Sequence, residues 1–220
     1  MVTVSYLYLI LFLCLMKGEL KEYYHKRKNE IRSRLEDFSK VPKDKKGDKV
    51  FYELCFCLLT PQSNAYKCDE AVCILKKGDF KGKGFETKEI LRDKTRFYRN
   101  KSRYLSEMRK KYPEIYKEMA KLKSAFEKRE FLVKNVKGLG YKEASHFLRN
   151  TGHRDLAILD RHILKNLERF GAIDAVPKPM TPKKYLETEK DFLKFSKKIG
   201  ICMDELDLLF WSMQTGKVFK

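Results

Sequence analysis

The sequence predicts an all-α protein of two helical lobes, and three observations predict it. Apolar residues recur at three- and four-residue spacing through most of the chain, the period of a helix with one buried face. No convincing strand, internal repeat or low-complexity tract interrupts that pattern. Two glycines one residue apart, Gly138 and Gly140, lie between two such segments, where the backbone can turn tightly.

The first residues stand apart. Residues 1–16 form an uncharged apolar run, shorter than the roughly 20 residues a membrane-spanning helix needs. They lack the basic start and small-residue cleavage site of a secretory signal. The composition turns abruptly charged after Met16, so residues 1–16 are expected to be an extension outside the fold. Residues 17–220 are expected to be one two-lobed domain, and a membrane tether is the rival reading of the extension. From Leu20 to Phe38 the apolar positions Leu20, Tyr24, Ile31, Leu35 and Phe38 form one stripe of an amphipathic helix. Asp48 to Leu59 is a more apolar helix suited to the interior. Thr60-Pro61-Gln62-Ser63-Asn64 interrupts it as a turn, and a new helix runs from Ala65 to Leu75.

Lys76 to Lys88 holds three glycines among lysines and reads as a solvated connecting loop. Thr95 to Tyr112 reads as a basic helix with aromatics interleaved, and Pro113 as the start of a further helix through Met119. Helix-like segments flank the glycine pair, Lys121 to Asn135 before it and Lys142 to Asn150 after it. Leu156-Ala157-Ile158-Leu159 is a short buried approach to Asp160, which precedes a periodic helix face of Ile163, Leu164, Leu167 and Phe170. Gly171 to Pro182 carries three prolines and is a long crossing loop. Thr181 begins a helix to about Ile199, and Cys202 to Met213 is a central buried helix.

Composition bounds the function. The 220 residues, 43% hydrophobic and 13% aromatic, suit a folded globule with a sizeable core. The net charge of +19 favours a polyanionic partner, nucleic acid before anionic membrane. Six cysteines (Cys14, Cys55, Cys57, Cys68, Cys73, Cys202) show neither a C-x-x-C pair nor zinc-ligand spacing. Four of them lie among apolar neighbours, which makes buried reduced thiols and a cytoplasmic location the expectation. The four histidines His25, His146, His153 and His162 fit no ligand pattern, so no metal is expected.

The glycine pair carries the chemistry. A helix that begins directly after a tight turn points its unpaired N–H groups and positive dipole end outward, which makes an anion site. In a chain this basic the expected anion is a DNA phosphate. A dinucleotide fingerprint fits poorly, since Glu143 stands where its third glycine belongs and no strand-like run precedes the turn. By itself such a turn can also be a plain packing corner. Lys142 follows the turn at once, and Asp160 lies eighteen residues further on.

Residues 137–150 read Lys-Gly-Leu-Gly-Tyr-Lys-Glu-Ala-Ser-His-Phe-Leu-Arg-Asn, and Thr215–Lys220 closes with Thr-Gly-Lys-x-x-Lys. Both runs resemble the helix–hairpin–helix DNA glycosylases, and most of all their archaeal-type 8-oxoguanine DNA glycosylase/lyase branch. In that family a Gly-Leu-Gly-x-Lys hairpin is followed at the same spacing by a catalytic Asp. The resemblance covers about Lys17 to Lys220. It implies a helix–hairpin–helix motif, with the hairpin and Asp160 facing a catalytic cleft between the lobes. It also implies double-stranded DNA containing oxidised guanine as substrate, with neither an iron–sulfur cluster nor a membrane involved. Nothing in the chain asks for more than a monomer.

The resemblance makes Lys142 the nucleophile and Asp160 its carboxylate partner, with Gly138, Leu139 and Gly140 as the phosphate-gripping hairpin. An amine can attack a sugar's anomeric carbon, expel the base and leave a Schiff base, through which the strand is cut by β-elimination. Only the neutral amine attacks, and an ordinary lysine is neutral in about one molecule in a few thousand at pH 7. The positive end of a helix favours that neutral form. Asp160 has an independent job as an N-cap. A base inside a duplex must be flipped out before it is reached. The resemblance gives Trp211 and Lys220 to the base pocket and Gln62, Ser63 and Asn64 to a minor-groove wedge. The basic-aromatic helix with Arg96, Arg99, Lys101 and Arg103 is expected to touch the phosphate backbone or line the cleft. Three alternatives stay open on the residues alone: a glycosylase/lyase for a different damaged base, a non-catalytic hairpin module that only holds DNA, and a membrane-associated basic protein resting on residues 1–16 and the charge.

Overall fold

The computed structural model describes residues 2–44 and 47–220, with side chains from residue 18 onward. Ten α-helices make up the described chain, which contains no strand. They are α1 (Val2–Lys40), α2 (Asp48–Leu59), α3 (Ala65–Lys77), α4 (Lys88–Arg92), α5 (Tyr98–Lys121), α6 (Ala125–Asn135), α7 (Tyr141–Asn150), α8 (Arg161–Arg169), α9 (Pro182–Ile199) and α10 (Met203–Thr215). A single 3-10 turn, Val41–Lys43, follows α1. No helix among the described residues is long and apolar enough to cross a membrane. The expectation that residues 1–16 lie outside the fold concerns side chains outside the described ones; their backbone from Val2 is part of α1.

The chain divides into two compact units, Met1–Asp37 with Ala157–Lys220, and Phe38–Leu156. In the first, α10 is the centre. Its residues from Met203 to Phe210 are buried without a break, and the Phe210 ring stacks on Phe170 and Phe192 at 5.6 and 6.1 Å. Burial of Glu205 opposes its ionisation. Hydrogen bonds from Arg32, Cys202 and Tyr24 outweigh that and hold the carboxyl below its ordinary value, with Arg32 Nε at 2.8 Å. The predicted stripe of α1 is buried at Leu20, Tyr24, Ile31 and Leu35.

In the second unit α2 is the central helix, buried from Val50 to Leu59, and α3, α5 and α7 pack around it. Its Glu53 accepts a buried hydrogen bond from Asn150 of α7 at 2.6 Å. An unsatisfied carboxylate in a core would be strongly unfavourable, so this bond fixes α7 against α2.

Three readings of the sequence need correction here. Pro113 does not open a helix; it lies inside α5. The buried positions Met108, Tyr112, Ile115 and Met119 continue one stripe through it. Burying those four side chains, at about 1.5–3 kcal/mol each, outweighs the roughly 3 kcal/mol a mid-helix proline costs. The segment from Lys76 to Lys88 is anchored rather than merely solvated. Phe80 is buried and meets Phe85 edge-on at 5.3 Å, and Arg109 donates to the Lys81 carbonyl at 3.2 Å. Cys55, Cys57 and Cys68 are buried thiols, whereas Cys73 and Cys202 are exposed. Cys73 is outside because α3 turns Cys68, Ala71, Val72 and Leu75 inward instead.

Candidate active site

The hairpin is built by α6, a five-residue corner and α7. Ser124 and Glu127 cap α6 reciprocally. Val136 and Leu139 are buried, so two apolar anchors hold the corner while Gly138 and Gly140 lie at the surface between and beyond them. Gly138 has φ +94°, and a Cβ there would meet the Tyr104 ring at 2.5 Å. Only glycine fits both the backbone angle and the ring. Gly140 is the N-cap of α7, and its N–H donates to Glu143 Oε2 at 3.2 Å. Having no side chain, it leaves the helix start open to an anion from outside.

Lys142 follows in the first turn of α7, its side chain 23% exposed and its Nζ 3.4 Å from Glu143 Oε1. Beyond Lys142 the same face of α7 is locked. Ser145, His146, Arg149 and Asn150 are all buried, the His146 ring meets Phe56 edge-on at 5.6 Å, and Arg129 of α6 donates to Ser145 Oγ at 3.2 Å. The Arg129 guanidinium also covers the Phe126 and Tyr141 rings. The amine is therefore mounted on a helix whose rotation is fixed by its buried face.

The turn 60–64 belongs to the same unit, and its three expected wedge residues do different things. Gln62 is exposed and left-handed, at φ +52°. Ser63 faces the protein: its Oγ accepts from Lys101 Nζ at 2.8 Å and from the Arg96 N–H at 2.9 Å. Asn64 is the N-cap of α3, its Oδ1 accepting from the Lys67 N–H at 3.1 Å. Lys101 corrects an expectation as well. It is 3% exposed and binds this turn, whereas Arg96, Arg99 and Arg103 are exposed. Their guanidiniums lie over the rings of Phe97, Tyr98 and Tyr104 at 5.3 to 5.7 Å. Lys142 is near enough to Lys101 and Cys68 for its charge to act on both. Burial pushes the Cys68 thiol up to about 11 against those two cations, so it stays protonated at neutral pH.

The other unit holds Asp160, Trp211 and Lys220. Asp160 is the N-cap of α8, its Oδ1 accepting from the His162 and Ile163 N–H groups at 2.7 and 2.8 Å. The extended stretch leading to it is pinned by Glu189, which accepts from the Ala157 N–H at 2.8 Å, and by Tyr185, which donates to the Ala157 carbonyl. Trp211 is half-buried near the end of α10. Gly216 ends α10 in the left-handed region, and the chain doubles back to set Phe219 6.0 Å from the Trp211 ring. Lys220 is thereby brought to the same end of the helix.

Sequence reasoning missed Tyr104 under Gly138, the internal role of Lys101, and Phe97. Phe97 is 53% exposed and left-handed at the start of α5. A signal existed only for Glu143, whose spacing from Gly140 is that of a capping box.

Two helices joined at a glycine corner, with an amine in the first turn beyond it, form a helix–hairpin–helix motif. A family profile described as 8-oxoguanine DNA glycosylase matches residues 31–201. The chain is 42% identical to an 8-oxoguanine DNA glycosylase/AP lyase of Fusobacterium nucleatum, over 92% of this chain and 97% of that one. It is 39% identical to one from Methanocaldococcus jannaschii, over 94% and 96%. The crystal structure of a Methanocaldococcus jannaschii 8-oxoguanine glycosylase/lyase with a 15mer DNA containing 8-oxoguanine matches at TM-score 0.84 and 35% identity, covering 94% of this chain and all of that one. The chain belongs to the 8-oxoguanine DNA glycosylase family.

Proposed function

We propose that the protein excises 8-oxoguanine from duplex DNA and then cuts the strand at the resulting site, with Lys142 as the nucleophile. Family membership supports the reaction, and the seat of Lys142 in the first turn of α7 supports the residue. The hairpin backbone at Gly138–Gly140 and the start of α7 hold a phosphate of the lesion strand. Gln62 fills the space left when the base is flipped out, with Ser63 and Asn64 as its supports. Trp211 gives the flipped base a stacking wall, and Lys220 reads its edge.

The neutral amine of Lys142 attacks C1′ of the deoxyribose. The bond from C1′ to the base breaks, and the base leaves with its bonding electrons and takes a proton. The Asp160 carboxylate stabilises the positive charge that develops on the sugar. Ring opening leaves a Schiff base between Lys142 and C1′. Loss of a C2′ proton then expels the 3′ phosphate, and water frees the lysine. The Cys68 thiol stays a spectator, since only its thiolate would compete.

Borohydride reduces a Schiff base to a stable amine, so it tests the assignment directly. Wild-type protein incubated with an 8-oxoguanine duplex and borohydride is expected to crosslink to DNA. Lys142→Gln is expected to bind the same duplex within about threefold, since one surface-accessible charge among many is lost, and to give no crosslink. Full-speed base release by that variant would overturn the assignment. A wild-type protein that binds DNA without crosslinking would make it a binding module.

A further inference from the structure

Lys101 is a buried cation that the reaction above leaves unused. It sits one turn into α5 with its side chain 3% exposed. Its Nζ donates to the carbonyl oxygens of Leu59 and Pro61 at 2.7 and 2.8 Å and to Ser63 Oγ at 2.8 Å. An ammonium carries three donors, and these three acceptors use them all. All three belong to one stretch, the end of α2 and the turn beyond it. Ser63 Oγ then donates to Pro61 O at 3.2 Å and takes the Arg96 N–H at 2.9 Å. The result is a clamp closed around Gln62 from both sides, with one cation at its centre.

Gln62 needs such a clamp. Its φ of +52° is one that a residue with a side chain keeps only where its surroundings hold it. Burial works against the cation, and the Lys142 and Arg96 charges add to that; the balance brings Lys101 down to about 8. It is thus still mostly charged at neutral pH. No neutral side chain delivers three donors from one atom on a four-carbon stem, which explains why a lysine is kept in a place unfavourable to charge.

We propose that Lys101 is a positioning residue for base extrusion: by clamping the turn from Thr60 to Asn64, it sets the height and angle at which Gln62 enters the duplex. The proposal rests on Gln62 being the wedge. It assigns Lys101 no contact with DNA and no part in bond breaking.

Extrusion is demanding only where the lesion is paired and stacked, which gives a readout that general loss of structure would not mimic. Single-turnover release of 8-oxoguanine is measured for Lys101→Met, Ser63→Ala and Gln62→Ala on a fully paired duplex. The same lesion is then placed opposite an abasic gap, and borohydride trapping is measured on a preformed abasic site. Lys101→Met is expected to slow the paired duplex about tenfold, the equivalent of one charge-assisted hydrogen bond. It should stay within about twofold of wild type on the unpaired lesion and in trapping. Ser63→Ala should move in the same direction by less, and it carries the comparison alone if Lys101→Met does not fold. Equal slowing on both substrates, or no slowing on the paired one, overturns the proposal. A paired-only defect in Gln62→Ala with none in the clamp variants overturns the clamp and spares the wedge. A normal Gln62→Ala overturns the wedge and the clamp together.

Discussion

Substituting Asp160 separates two jobs assigned to one carboxyl group, capping α8 and stabilising charge on the sugar. Both capping bonds end on the same oxygen, Oδ1, at 2.7 and 2.8 Å. Asparagine places an equivalent oxygen there, so Asp160→Asn keeps both bonds. It loses only the attraction between a negative charge and the helix start, about 0.3–1 kcal/mol. Asp160→Ala removes both bonds and should lose about 1–2 kcal/mol. The helix it caps has only nine residues, so little else could compensate. Stability by urea denaturation is therefore expected in the order wild type, Asn, Ala.

Turnover should follow another order. Both variants lack the carboxylate charge, so both should release 8-oxoguanine about 10²–10³-fold more slowly in single turnover. That corresponds to about 2.7–4 kcal/mol of transition-state stabilisation. Stability would then fall in steps while activity falls once. Wild-type speed in Asp160→Asn would refute the catalytic half of the reasoning and leave Asp160 a cap. Activity that tracks stability through the series would refute it equally.

The hairpin and the core give two further expectations. Gly138→Ala forces a side chain to φ +94° and into the Tyr104 ring, whereas Gly200→Ala meets only a backbone angle of +73° in open space. Urea denaturation should show a loss of about 2–4 kcal/mol for the first and about 1 kcal/mol for the second, with DNA affinity falling only in the first; equal losses would show that Tyr104 yields freely. His153 Nε2 lies 3.0 Å from Lys128 Nζ, and its Nδ1 is 3.3 Å from the Leu148 carbonyl, an arrangement that needs a neutral ring. Burial, then the Lys128 charge, holds its pKa below the ordinary 6.5. The unfolded chain therefore takes up more protons in mild acid, and this contribution to stability, present above pH 6.5, is lost as pH falls through the folded value. Urea midpoints at about pH 7 and pH 5 should differ less in His153→Gln than in wild type.

What was legible in the sequence was whatever a short stretch decides for itself. The helix at Asp48–Leu59, the Asp160 cap and the α1 stripe each follow from neighbours within a turn or two, and each is found where the pattern puts it. Pro113 shows where that logic stops. A local rule makes it a helix start, but burial of Tyr112, Ile115 and Met119 decides otherwise. Lys101 is the sharper case. Between Arg99 and Arg103, in a chain of net charge +19, nothing in its own neighbourhood marks it as different. Its destination is set by three acceptors about forty positions earlier, whose orphan oxygens at the end of α2 and in the following turn need donors. The charge count is blind to that distinction. Arg96, Arg99 and Arg103 add to the field that DNA meets, while Lys101 answers an internal demand created by turning the backbone out at Gln62. The turn at Gln62 and the buried cation are thus two halves of one local solution, and neither is intelligible from its own segment.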